Sequence, residues 1–300
     1  MEEPRAKARG MSASSPLVEV DWLAGRLDRV IVLDASVTRV DRGAGVTDFA
    51  PGPEVFAAGH IPGARFADLM RAFSDPEARF PFTAPSVAQL QAAARAVGIG
   101  DDSTVVAYDG MGGAYAARLW YLLRGHGLAR VHVLNGGLQA WRAAGHAVET
   151  GPAPHVPPGD FTPRAPGDLF VGVGEVLTRV RAGADPARPL ICGLRPEQYR
   201  GDGSSDPRRG HIPTSVNLPY PSLLGADGRL EPDRVRAALD RLGLRPPFAP
   251  VLYCGGGINA AGLALALDLI GVSDVRIYDD SMSGWRADPA LPVETGAGDA

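Results

Sequence analysis

The residues best placed for chemistry form the run Cys254-Gly255-Gly256-Gly257-Ile258-Asn259-Ala260, directly after the apolar stretch Val251-Leu252-Tyr253. A strand ending at a nucleophile, then a glycine-rich turn and a helix, makes a natural cradle for an anion. Glycine permits backbone conformations closed to other residues, so successive N–H groups can turn inward onto one atom, and the helix N-terminus adds partial positive charge. Such a setting favours a thiolate over a thiol, and equally the persulfide S–S⁻ that forms when the thiolate takes sulfur from a donor. Cys254 is therefore the expected nucleophile, with Gly255, Gly256, Gly257, Ile258, Asn259 and Ala260 cradling the sulfur it carries. A glycine-rich turn with a passenger cysteine is the bland alternative, and placement at a strand end argues against it.

The other thiol, Cys192, stands at the end of Leu190-Ile191-Cys192. Two cysteines are too few for a disulfide framework and lack the paired spacing of a zinc site, so no metal is expected. Two thiols on neighbouring strand ends could approach within disulfide range, which makes Cys192 a candidate second thiol that receives sulfur from Cys254. His60 and His211 each lie in a Gly-His-Ile-Pro turn, and their recurrence suggests a structural role.

That recurrence extends along the chain. Gly59-His60-Ile61-Pro62-Gly63-Ala64 returns as Gly210-His211-Ile212-Pro213-Thr214-Ser215. Val106-Ala107-Tyr108-Asp109-Gly110 returns as Val251-Leu252-Tyr253-Cys254-Gly255, and Gly136-Gly137 followed by Trp141 as Asp280-Ser281 followed by Trp285. Three blocks in the same order imply two homologous domains, expected over 16–150 and 168–300. Between them 151–167 carries Pro152, Pro154, Pro157, Pro158, Pro163 and Pro166, a semi-rigid extended linker. Within each half, continuous apolar runs of strand length alternate with helical patterns. Val30–Leu33, Thr104–Tyr108, Val131–Leu134, Leu190–Cys192, Val251–Tyr253 and Val275–Tyr278 are the strands, and Ser86–Val97, Ala114–Leu123, Pro232–Leu242 and Ala260–Ile270 the helices. The alternation predicts an α/β fold, two mostly parallel sheets each flanked by helices on both faces.

With these motifs in place the chain resembles the rhodanese family, the tandem-domain thiosulfate and 3-mercaptopyruvate sulfurtransferases. The resemblance rests on Gly59 to Ala64, Tyr108-Asp109-Gly110, Ala117-Arg118-Leu119-Trp120, Gly136-Gly137 with Trp141, and a loop opening with Cys254. It implies two tandem rhodanese-like domains, the first inactive because Asp109 occupies the cysteine position and walling one side of the cleft. It also implies transfer of sulfane sulfur from a small anionic donor, thiosulfate or 3-mercaptopyruvate, to cyanide or a thiol through a Cys254 persulfide, with no cofactor. Two departures stand out. The loop has neither the basic residues of thiosulfate-preferring members nor the hydroxyls of mercaptopyruvate-preferring ones, and Gln198 precedes Tyr199 where the family has a donor-binding Arg. Arg195 and Arg200 are candidate substitutes because a guanidinium forks onto carboxylate or thiosulfonate oxygens, and Asp68 is a further candidate on the donor side. Cys192 falls where the family commonly has Asp. These departures leave open a second reading, a non-enzymatic persulfide relay.

Composition excludes other classes. The net charge of −4 among 300 residues, with a pI near 5.9, speaks against a nucleic-acid partner. The apolar runs are too short to span a bilayer, and Met1 to Ser15 lacks the apolar core of a signal peptide, so a cytoplasmic monomer with a loose N-terminal tail and no membrane partner is expected. Phosphatase chemistry on a related fold needs an Arg where this loop has Ala260, and there is no Walker loop or dinucleotide fingerprint.

Overall fold

Apolar runs that expose neither face must lie between helical layers, and the computed structural model, which describes residues 15–43, 46–203 and 206–297, has this arrangement twice. The expected N-terminal tail lies outside the described residues. The first half runs β1 (Leu17–Val18), α1 (Val20–Ala24), β2 (Ile31–Asp34), β3 (Val37–Gly43), β4 (Val46–Pro51), α2 (Pro53–Ala58), β5 (Arg65–Phe66), α3 (Val87–Ala96), β6 (Val105–Tyr108), α4 (Ala114–Gly125), β7 (Val131–Leu134) and α5 (Gly137–Ala143). The second runs β8 (Phe170–Val171), α6 (Val173–Ala182), β9 (Leu190–Cys192), α7 (Pro196–Arg200), β10 (Ser215–Asn217), α8 (Pro232–Arg241), β11 (Val251–Tyr253), α9 (Ile258–Leu269), β12 (Arg276–Tyr278) and α10 (Ser281–Ala287).

Each half holds a five-stranded sheet, ordered β1-β7-β6-β2-β5 and β8-β12-β11-β9-β10, in which every pairing is parallel. Parallel neighbours need crossovers, and the intervening helices supply them on both faces. Strands β6, β7 and β11 are buried along their whole length, as their unbroken apolar sequences require. Helix α3 begins at Val87 and is capped by Ser86, whose hydroxyl accepts from Gln89 N–H at 3.2 Å.

An antiparallel hairpin, β3 paired with β4, was not anticipated. Its signal in the sequence was the short turn Gly43-Ala44-Gly45 between runs holding the β-branched residues Val37, Thr38, Val40, Val46 and Thr47. The proline-rich stretch is less free than a linker between two bodies. Gly159 N–H donates to Arg95 carbonyl at 2.9 Å, Phe161 N–H to Ile99 carbonyl at 3.1 Å, and the Phe161 ring is buried in the core.

One face of each sheet contributes to a single shared core. It contains Leu33 and Ala107 of the first sheet, Ile191 and Leu252 of the second, and the apolar faces of α4 and α9 packed between them. The opposite faces close over separate smaller cores, one around Phe56 and Trp141, the other around Tyr199 and Trp285. The close approach of α9 depends on Gly262, where a Cβ atom would come within 2.7 Å of the Tyr220 ring. Gly262→Ala gains roughly 0.8–1 kcal/mol of helix propensity. Overpacking a tight core costs roughly 1–3 kcal/mol. Net destabilisation is expected, read as a lower denaturant midpoint than wild type.

Candidate active site

Cys254 follows the last residue of β11 and is 3% exposed. Gly257, at φ +81°, is the left-handed N-cap from which α9 starts at Ile258, two residues earlier than the sequence suggested. The loop proper is therefore Cys254 to Gly257, and Ile258, Asn259 and Ala260 form the first turn of the helix. First-turn N–H groups have no intrahelical acceptor, and among the described residues none accepts from these three.

The expectation that all loop amides converge on the sulfur needs correction. The N–H groups of Cys254 and Gly257 both donate to the Ser281 hydroxyl, each at 3.1 Å, and that hydroxyl donates onward to the Tyr278 carbonyl at 3.0 Å. The loop carbonyls are held as well. Met282 N–H donates to Cys254 carbonyl at 2.9 Å, and Gly255 carbonyl accepts from Ser283 N–H at 3.0 Å and Ser283 Oγ at 2.8 Å. Ser281 and Ser283 thus fix the back of the loop, a role the sequence did not reveal because it depends on the start of α10 lying beside the end of β11.

The first half shows what this turn does to an anion. Asp109 follows β6 as Cys254 follows β11. Its Oδ1 accepts from Met111 N–H at 2.7 Å and Gly113 N–H at 2.9 Å, and its Oδ2 from Tyr115 N–H at 3.0 Å and Ala116 N–H at 2.9 Å. Gly113 is a left-handed N-cap at φ +85°, like Gly257. Tyr115 and Ala116 occupy the places in α4 that Asn259 and Ala260 occupy in α9. A buried carboxylate is tolerated only when its oxygens are satisfied, and here backbone donors alone do it.

The first half also walls the Cys254 loop. A Cβ at Gly256 would lie 3.9 Å from the Pro81 carbonyl, and one at Gly257 3.4 Å from Arg118 Nη1. Arg118, fully buried in α4, reaches Asp279 at 2.6 Å, donates to the Phe82 carbonyl at 2.7 Å and lies 4.9 Å from the Phe170 ring centroid. Asp279 in turn accepts from Ala84 N–H at 2.7 Å. An arginine within the apolar run of α4 was the sequence signal for this contact between the halves, but only the packed structure supplies its partner.

The other candidates lie elsewhere. Arg195 and Arg200 are exposed and engaged at the surface, Arg195 with Glu197 at 3.4 Å and Arg200 with Asp202 at 2.7 Å, and no hydrogen bond or ion pair joins either to the loop. Asp68 Oδ1 accepts from Met70 N–H at 3.1 Å and Arg71 N–H at 3.0 Å, so it closes its own turn. His60 and His211 are structural in both halves. Each stacks on an aromatic ring, Phe56 at 3.8 Å and Tyr199 at 3.6 Å, and each has Nδ1 at hydrogen-bonding distance from that residue's carbonyl.

Cys192 is not brought to Cys254. The register pairs Cys192 with Tyr253, so those two side chains share a face and Cys254, the next residue, faces the opposite way. Cys254 belongs to the shared core and Cys192 to the outer one. Burial pushes the Cys192 thiol up to about 12, against hydrogen bonds from Leu194 N–H and the Tyr253 hydroxyl. Asp34 holds the equivalent place in the first half, paired by register with Tyr108 and accepting from Ser36 N–H at 2.8 Å. The Asp34 carboxyl is likewise raised by burial. Cys192 thus fills a structural position.

Two outcomes follow from this geometry. Mild oxidation is expected to yield no Cys192–Cys254 linked peptide by mass spectrometry. Ser281→Ala is expected to lower stability by roughly 1–3 kcal/mol, because two buried N–H groups lose their acceptor, and chemical denaturation measures it.

Comparison with known proteins agrees with the duplicated architecture. The rhodanese-like domain model matches residues 19–144 and 189–288. SseB of Mycobacterium tuberculosis, whose name places it among the thiosulfate sulfurtransferases, is 38% identical over 256 residues, covering 83% of this chain and 88% of its own. The 3-mercaptopyruvate sulfurtransferase of Escherichia coli is 31% identical over 289 residues, covering 92% of this chain and 97% of its own. The crystal structure of SseA from Escherichia coli, a 3-mercaptopyruvate sulfurtransferase, superposes with a TM-score of 0.77 at 28% identity, covering 89% of this chain and 99% of that one.

Proposed function

We propose that this chain, which belongs to the rhodanese family and is a sulfurtransferase, holds the sulfur it transfers on Cys254 as a persulfide. The observation that carries the reading is the Asp109 turn, where backbone N–H groups alone satisfy a buried carboxylate at the position equivalent to Cys254. In the second half the first-turn amides of Ile258, Asn259 and Ala260, with those of Gly255 and Gly256, are the donors available to a sulfur anion. The residues following 168 then form the catalytic domain, and those preceding 150 a scaffold whose own cradle is filled by Asp109.

The donor is a small anion, thiosulfate or 3-mercaptopyruvate, the substrates for which the relatives are named. With thiosulfate, the Cys254 thiolate attacks the outer sulfur. A new S–S bond forms, the S–S bond of the donor breaks, and sulfite leaves with the electron pair. With 3-mercaptopyruvate the C–S bond breaks instead, and the donor's thiol proton moves to the carbon that becomes the methyl of pyruvate. An acceptor then attacks the terminal sulfur of the persulfide, cyanide giving thiocyanate and a thiol giving a new persulfide, and Cys254 returns as thiolate. The cradle serves both states because each places one negative charge on sulfur at the same helix N-terminus.

The test is cyanolysable sulfur on the purified protein after separate exposure to each donor. Wild type is expected to load close to one sulfur per chain from at least one donor, and Cys254→Ser none from either. Loading that survives in Cys254→Ser would place the sulfur elsewhere and end the proposal.

A further inference from the structure

With Gln198 at the family's donor-binding arginine position, and with Arg195 and Arg200 engaged in surface ion pairs, neither arginine candidate of the second half is placed at the Cys254 loop to receive the anionic end of a donor. The hairpin of the first half offers a cation. In its register Arg39 lies opposite Phe49, and residues directly opposite across a strand pair project from the same face. That face is located by Phe49, whose ring meets the Phe82 ring edge-on at 5.4 Å. Phe82 in turn lies 5.9 Å from the Tyr115 ring and follows Pro81, the residue opposite Gly256 of the Cys254 loop. Burial raises the Tyr115 hydroxyl, and Arg39 lies near enough to that hydroxyl to oppose the shift. Arg39 is exposed and forms no ion pair among the described residues.

We propose that Arg39, reaching over from the β3–β4 hairpin past Phe49 and Phe82, receives the anionic end of the sulfur donor, the sulfonate of thiosulfate or the carboxylate of 3-mercaptopyruvate, and so sets donor affinity. The inference rests on the proposed persulfide chemistry at Cys254. A guanidinium suits the task because its planar fork pairs with two oxygens of either group. Contact with the donor's distant end is the same before and during sulfur transfer, so its loss raises KM and leaves kcat nearly unchanged. Placing the cation on the first domain also makes donor binding depend on both halves.

The experiment measures initial rates of thiocyanate formation against donor concentration, with cyanide in excess, for wild type, Arg39→Ala, Arg39→Lys and Arg195→Ala. Arg39→Ala is expected to raise KM about tenfold, equivalent to about 1.4 kcal/mol of binding, with kcat within about twofold. Arg39→Lys recovers part of the loss because the charge remains without the fork, and Arg195→Ala matches wild type. Added salt raises the KM of wild type more steeply than that of Arg39→Ala, since only wild type has the charge to screen. A wild-type KM in Arg39→Ala for every donor that loads Cys254, or a KM increase in Arg195→Ala as large as that in Arg39→Ala, overturns the inference while leaving the persulfide reading intact. A wild-type protein that loads no sulfur overturns that reading, and the inference with it.

Discussion

Everything in this molecule that bears on chemistry depends on one electrostatic constraint: where a buried parallel strand turns sharply into a helix, several backbone N–H groups are left without acceptors and aim at the same small volume. Leaving them unmet in a dry interior is costly, so the turn selects for an anion at the strand end. In the first half that anion is built into the chain, since the Asp109 carboxylate takes four N–H groups and closes the cradle for good. In the second half a cysteine occupies the position, and under the persulfide chemistry proposed for Cys254 the same constraint serves group transfer. The duplicated fold therefore holds two answers to one problem, one static and one reactive.

The reactive answer depends on the static half. Arg118 runs from α4 to Asp279 at the start of the α10 region, close behind Gly257, and Asp279 in turn fixes the backbone at Ala84. The reverse link is present too: Asn135, at the end of β7, accepts from Leu230 N–H at 2.8 Å and donates to its carbonyl at 3.3 Å. Each half thus pins a loop of the other with a polar side chain that follows the strand next to the edge of its sheet, Asn135 after β7 and Asp279 after β12. Only one of the links includes a buried cation, and it stands behind the cysteine loop. A buried ion pair of this kind adds little net stability but costs much when one partner is removed, so the two halves are coupled in register and in electrostatics.

The departures from the family pattern look less severe in three dimensions. Cys192 stands where the first half has Asp34, each paired in register with a buried tyrosine, Tyr253 and Tyr108 respectively. Burial raises the Cys192 thiol, so a cysteine there places no charge in the core at neutral pH. Ser281 and Ser283 supply hydroxyls beside the loop, and these hold its backbone.

The sequence by itself determined the duplication, the parallel α/β class and the candidate nucleophile, because these follow from local and periodic signals: apolar runs of strand length, a repeated order of motifs, and a cysteine between a strand and three glycines. It did not determine which loop amides are held by Ser281, on which face each thiol lies or which part of the first half packs beside the Cys254 loop. Those depend on contacts between residues far apart in the chain, such as Ser281 with Gly257, Arg118 with Asp279 and the hairpin beside the Phe82 loop. The relation of Cys192 to Cys254 shows the reason most simply. Adjacent strand ends are predictable from topology, but residues paired in register share a face while successive residues of one strand alternate, and only the pairing of Cys192 with Tyr253 decided which face each thiol took.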